Sequence, residues 1–137
     1  MGQRRLSRET ALQALYFLDV STRFTPEEAF QAACHRKDGL DGQSSEFIRG
    51  LVLGAAAHRE ELDARIQEAA EHWELKRMSA VDRNLLRMAA YELIHDPETP
   101  VGVVIDEAIE IAKKYSTPES PAFVNGILDK LKAHRIS

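Results

Sequence analysis

The chain has 137 residues, 44% of them hydrophobic and 29% charged, a length and balance that suit one globular domain burying its core without disulfides or metals. The apolar run GLVLGAAA is far too short to cross a bilayer, residues 1–20 lack the pattern of a secretory signal, and Cys34 has no partner for an internal disulfide, all of which fits a cytoplasmic protein with no membrane contact. A net charge of −4 argues against non-specific nucleic-acid binding by the whole surface, so any RNA or DNA contact must come from a local patch.

One such patch opens the chain. Arg4, Arg5 and Arg8 precede the first acid, Glu9, and the α-amino group adds charge at the same end. Composition leaves open whether residues 1–8 are a solvated tail or a basic arm that binds phosphate. Ser7 is placed to cap a first helix that carries Ala11, Leu12, Leu15, Tyr16 and Leu18. TPEE is a compact start signal for a second, with Thr25 as N-cap, Pro26 at N1 and Glu28 closing a capping box. RKDGLDGQSS, residues 36–45, reads as a polar loop, and a third helix is predicted from about Glu46 to His58 with Phe47, Ile48, Leu51, Val52 and Ala55 inward.

The fourth helix carries Leu62, Ile66, Ala69 and Trp73 at i, i+4, i+7 and i+11. Ser79 repeats the cap pattern with Asp82 three residues on, opening a fifth through Leu85, Met88, Ala89 and Leu93. HDPETP breaks it, because Pro97 and Pro100 cannot sit inside a continuing helix. A sixth follows with Ile105, Ala108, Ile109 and Ala112, then the break STPESP, then a seventh over SPAFVNGILDKL. Strand-like alternation is absent, and no repeat or linker divides residues 1–137. The chain reads as an all-α single domain, a compact bundle of about seven helices.

Chemistry-bearing motifs are scarce. His35, His58, His72, His95 and His134 show no metal-ligand spacing, and Cys34-His35 adjacency cannot share a helix face. No metal or cofactor is expected. Phosphate loops and nucleophile elbows are absent, and the abundant Glu reads as the solvated face of helices, with Glu110 reaching Lys113 and Lys114. Gly50 and Gly54 form G-x-x-x-G, which in this amphipathic setting predicts close packing of two helices within the domain.

The last helix carries a contradiction. Val124, Ile127, Leu128 and Leu131 make an apolar stripe, yet Asn125-Gly126 interrupts it, and an interior Gly costs a helix about 1 kcal/mol relative to Ala. At 100° per residue, Glu119, Phe123, Gly126 and Lys130 line a different side. A large ring and a cation then flank a spot with no side chain. Geometry leaves two readings open: a stacking platform for a nucleobase or partner, or another helix packed over Gly126 with Phe123 in the core.

RETALQALY (Arg8 to Tyr16), VDRNLLRMAAYEL (Val81 to Leu93), PVGVVIDEAIEIAKKY (Pro100 to Tyr115) and FVNGILDKL (Phe123 to Leu131) resemble, in order, the signature blocks of the NusB family of bacterial transcription antitermination factors. They cover about a third of the chain. The resemblance implies a seven-helix fold without enzymatic activity. It implies binding of single-stranded boxA RNA in rRNA leader transcripts jointly with NusE, a small-subunit ribosomal protein, within a complex of other Nus factors and RNA polymerase. It places RNA contacts at Arg4, Arg5, Arg8 and Phe123, with Glu119 beside them, and a partner-facing role at Tyr16 and Asp82. Lys130 joins the RNA set from its helix face. Leu6 interrupts the arginines, and Ala122 stands where relatives often carry a basic residue, so fewer phosphate contacts are expected.

Two other classes share features with this reading. The fold also occurs as the N-terminal RNA-binding domain of some rRNA cytosine methyltransferases, but this chain ends where such a catalytic domain would begin and has no cofactor loop. A helical adaptor binding proteins alone is the third. Whether the free protein is a monomer or a homodimer stays open.

Overall fold

A computed structural model describes residues 2–135, and among these residues every regular element is helical. The helices are α1 (Gly2–Val20), α2 (Pro26–His35), α3 (Gly42–Ala57), α4 (Arg59–Ala70), α5 (Ala80–His95), α6 (Val101–Tyr115) and α7 (Ser120–Leu131), with short 3-10 turns at Leu75–Arg77 and Lys132–His134. None is long and apolar enough to cross a membrane.

The cap chemistry decides most boundaries. Thr25 and Glu28 form the expected reciprocal capping box, with Pro26 in the first turn. Asp41 accepts from the Ser44 amide at 2.8 Å, so α3 starts at Gly42, four positions before the predicted start at Glu46. The polar stretch is therefore loop over 36–41 and helix from Gly42 on. Ser7 does not cap α1. It lies inside that helix, buried, and its hydroxyl donates to the Gln3 carbonyl.

α5 organises the rest. It packs against α1, α3, α4, α6 and α7, and apolar residues on all its sides are buried, Leu85, Leu86, Met88, Ala90, Leu93 and Ile94 among them. A helix covered all round belongs to the centre of a bundle. The predicted stripe of α7 is buried in full: Val124, Ile127, Leu128 and Leu131. α1, α2 and α3 pack on one another, and α6 lies beside α7.

Half of the glycine prediction holds. A Cβ on Gly54 would overlap the Tyr91 ring of α5, whereas Gly50 faces nothing within 4 Å. Close approach between α3 and α5 therefore depends on Gly54 alone. The α4 prediction runs one turn too far: the helix ends at Ala70, Glu71 turns the chain with φ 54°, and Trp73 stands outside at 63% exposure.

Candidate nucleic-acid interface

The basic residues near the start do not form an arm. They occupy the first turns of α1, where Arg4 and Arg8 share a face and Arg5 points to the next. The α-amino group of Met1 lies outside the described residues. Arg4 is exposed, with its guanidinium carbon 3.9 Å from the centre of the Phe47 ring. Arg5, its side chain 45% exposed, donates to both Glu107 oxygens at 3.0 and 2.6 Å. Those hydrogen bonds hold the Glu107 carboxyl below its usual range and raise the Arg5 guanidinium above its own.

Arg8 corrects the prediction. It is only 3% exposed, and its guanidinium donates to both oxygens of the buried Glu92 at 2.8 and 2.9 Å. Burial opposes its charge, but the hydrogen bonds and charge of Glu92 outweigh it and raise the Arg8 pKa. A phosphate cannot reach this group. The surface cations are Arg4 and Arg5, and no acid in the first turn of α1 offsets them. Cations at a helix N-terminus add to the positive end of the dipole instead of opposing it, which disfavours the helix and favours an anion.

Tyr16 is not a core residue. It is 39% exposed and lines a shallow groove with Leu12, Gln13, Val81 and Tyr115. Glu9, at one edge of that groove, accepts from the Tyr115 hydroxyl at 2.9 Å and from the Lys114 ammonium at 3.2 Å. Lys114 is thereby drawn away from Glu110, which among the described residues pairs with Lys113, at 3.0 Å. Asp82 is a second correction. It is buried, and its carboxylate accepts from the hydroxyls of Ser116 at 2.6 Å and Ser120 at 2.9 Å. It pins the break between α6 and α7 to the start of α5, and its oxygens are not offered to a partner. The Ser79 cap bonds to the Asp82 amide, not to its side chain.

Phe123 is half-buried and lines a groove of about 430 Å³ with Trp73, Arg77, Met78, Glu119 and Ser120. The Trp73 and Phe123 rings meet edge to face, 5.8 Å between centres at 78°. Glu119 is exposed at the N-cap position of α7 and makes no side-chain cap bond. The Arg77 side chain is 80% exposed at the rim. A Cβ on Gly126 would meet nothing within 4 Å, so no helix packs there and the outer face of α7 is open. Lys130 is tied down: its ammonium donates to the Ala69 carbonyl at 3.1 Å and pairs with Glu71 at 3.0 Å. It closes the C-terminal end of α4 instead of facing the groove.

The two grooves adjoin. Val81 and Tyr115 line one while Asp82 and Thr117 line the other, so Tyr16 and Phe123 flank the same junction of α5 with the α6–α7 break. Sequence reasoning missed Trp73 as a groove residue, because the i+11 position extended a helix that stops at Ala70. It also missed Glu92, an acid inside an apolar block whose buried partner lies in another helix.

Comparison with known proteins gives one consistent result. The NusB family profile matches residues 5–133. The chain is 50% identical over 136 residues to the transcription antitermination protein NusB of Elusimicrobium minutum, covering 98% of this chain and 96% of that one. It is 44% identical over 133 residues to the NusB protein of Myxococcus xanthus, covering 96% and 95%. Among solved structures, T. maritima NusB superposes with a TM-score of 0.87 at 36% identity, covering 98% of this chain and 93% of that chain. A crystal structure of the antitermination factors NusB and NusE in complex with dsRNA superposes with a TM-score of 0.87 at 31% identity, covering 97% and 98%.

Proposed function

The chain belongs to the NusB family, and from that premise we propose that it is a transcription antitermination factor that binds boxA RNA of rRNA leader transcripts together with NusE. It is not an enzyme. In this reading residues 1–137 act as one RNA-binding domain in the cytoplasm. The complex joins other Nus factors on the elongating RNA polymerase and supports complete rRNA synthesis.

The observation that carries the reading is the Trp73–Phe123 pair in an open groove with Arg77 at its rim. Exposed rings bind unpaired bases by stacking, whereas an A-form duplex is recognised mostly through its shape and backbone. Arg4 and Arg5 supply phosphate contacts. Arg8 drops out of the contact set, because it is buried against Glu92, whereas Lys130, like Arg5, reaches RNA only by leaving an acid, the exposed Glu71. The Tyr16 groove is the surface offered to NusE, held in shape by Asp82 behind it.

A gel-shift titration tests this. Labelled single-stranded boxA RNA should shift with the protein and NusE together, and a duplex of the same sequence should compete poorly. No shift in the presence of NusE would overturn the assignment.

A further inference from the structure

Away from both grooves, three helix ends bring together side chains that the sequence keeps apart. His58 forms the junction of α3 and α4, Glu61 lies in the first turn of α4, and His95 is the last residue of α5. One donor atom of each lies within 4.8 Å of the others. We propose that His58, Glu61 and His95 form a binding site for a divalent transition metal of the zinc type.

The surroundings are built for it. His58 Nδ1 is 2.9 Å from the Gly54 carbonyl, and a carbonyl only accepts, so Nδ1 is the donor and Nε2 is the nitrogen whose lone pair a neutral ring would offer. Metal-binding imidazoles are oriented in this way, by a hydrogen bond from the nitrogen that does not ligate. The same Gly54 admits the Tyr91 ring. That ring lies 5.9 Å from the His58 ring and 5.4 Å from the His95 ring, and the two imidazoles are 4.2 Å apart. His95 Nε2 lies 2.8 Å from a Glu61 oxygen and donates to it, because a carboxylate only accepts, so a metal bound through Nε2 displaces that proton to water or to His95 Nδ1. Glu61 and His95 thus have each other, while His58 Nε2 makes no hydrogen bond among the described residues.

The donor set selects the metal class. Two neutral imidazoles and one carboxylate suit zinc and its neighbours, while calcium and magnesium prefer all-oxygen sites. Three protein ligands leave a position for water, as in His2Glu zinc sites. Zinc bonds of ~2.0–2.1 Å put tetrahedral ligands roughly 3.3 Å apart, so the widest pair must close by at most about 1.5 Å while His95 Nε2 and Glu61, at 2.8 Å, must part slightly, both within reach of half-buried rotamers. Bound metal would clip the α3–α4 junction to the end of α5.

Calorimetric titration of the chelator-treated full chain with zinc chloride tests the site, beside Glu61→Gln and His58→Gln variants. Circular dichroism of each metal-free variant checks that it folds, and Glu61→Gln keeps a hydrogen-bonding group of the same shape if the histidine change does not. The expected result is one zinc per chain and a melting temperature that rises with zinc. Loss of an outer-sphere partner weakens metal sites about 10–100-fold, so loss of a ligand should weaken binding by at least about tenfold in each variant. Cobalt in place of zinc should give the visible bands of a four- or five-coordinate ion in the wild type and lose them in Glu61→Gln. No zinc uptake by the wild type, or equal affinity in wild type and both variants, would overturn the proposal.

Discussion

Arg8 and Glu92 face each other through two hydrogen bonds of 2.8 and 2.9 Å, with side chains only 4% and 1% exposed. The pair joins α1 to α5. Its members balance because each satisfies the other in a place water does not reach. Removing the cation alone strands a buried carboxylate, which costs about 3–5 kcal/mol, whereas replacing both by apolar groups of similar volume is often neutral. Arg8→Gln should therefore lower stability in urea unfolding by about that amount, while Arg8→Met with Glu92→Leu should recover most of it. An Arg8→Gln protein as stable as the wild type would show that the pair contributes nothing.

The salt dependence of RNA binding isolates the remaining cations. Each phosphate contact with a single strand contributes a log K versus log salt slope of about −0.7. Arg4→Gln with Arg5→Gln should reduce the slope by about 1.4 and leave sequence preference largely intact. Arg5 must leave Glu107 to reach a phosphate, and a surface ion pair is weak enough to exchange. Glu107→Gln should therefore tighten binding at low salt. An unchanged slope in the double variant would make these arginines solvent-facing only.

Asp19 supplies a pH test. Burial works against its charge, yet hydrogen bonds from Arg83 and Asn84, joined by Arg87, hold its pKa below the usual aspartate range. A folded pKa below the unfolded one means that the unfolded chain binds more protons in the window between them. The contribution is present above the unfolded value of about 3.9 and is lost as pH falls through the folded value. Urea unfolding at a series of pH values should show stability falling below about pH 5. Asp19→Asn should flatten that limb while lowering stability at neutral pH; an equally steep limb would assign the acid sensitivity to other carboxyls.

Much of this fold was legible in the sequence because helices announce themselves locally. Thr25-Pro26-Glu27-Glu28 and Ser79 cap as read, and the α7 stripe is buried in full. The failures at the site residues share a cause: each depended on a residue far along the chain. Arg8 looks like part of a basic tail until Glu92 is placed opposite it. Asp82 looks available until the hydroxyls of Ser116 and Ser120 arrive from the α6–α7 break. Lys130 shares a helix face with Phe123, but the end of α4 takes up its charge. Periodicity assigns a face, not what the face meets.

The proposed cooperation with NusE rests on charge. A net −4 set against Arg4 and Arg5 at one helix end gives little positive surface for a polyanion. Fluorescence titration of boxA RNA should show weak binding by the protein alone and markedly tighter binding when NusE is added at the same salt. Tyr16→Ala should weaken that enhancement and leave RNA binding by the protein alone unchanged. Equal affinity with and without NusE would contradict the proposed joint site.

Phe123 decides whether the open face of α7 is a stacking surface. Val124, Ile127, Leu128 and Leu131 anchor the helix to the core, so packing rather than propensity holds it and an interior Gly is tolerated. With nothing within 4 Å of a Gly126 Cβ, the glycine serves no contact inside the chain, and close approach by RNA is its proposed use. Gly126→Ala should then raise stability by roughly 0.4–1 kcal/mol and weaken RNA binding by crowding that face. Phe123→Ala should weaken RNA binding by about 1–3 kcal/mol, the range for losing one base–aromatic stack. A fully buried Phe cut to Ala would instead cost about 3–5 kcal/mol of stability, and half-burial predicts less. Trp73→Ala gives the cleaner separation, because at 63% exposure the ring contributes little to the core while forming the other wall of the groove. Thermal unfolding beside RNA titration of the three variants distinguishes the outcomes. A large drop in melting temperature for Phe123→Ala, with RNA affinity unchanged in both ring variants, would make the pair structural and remove the platform.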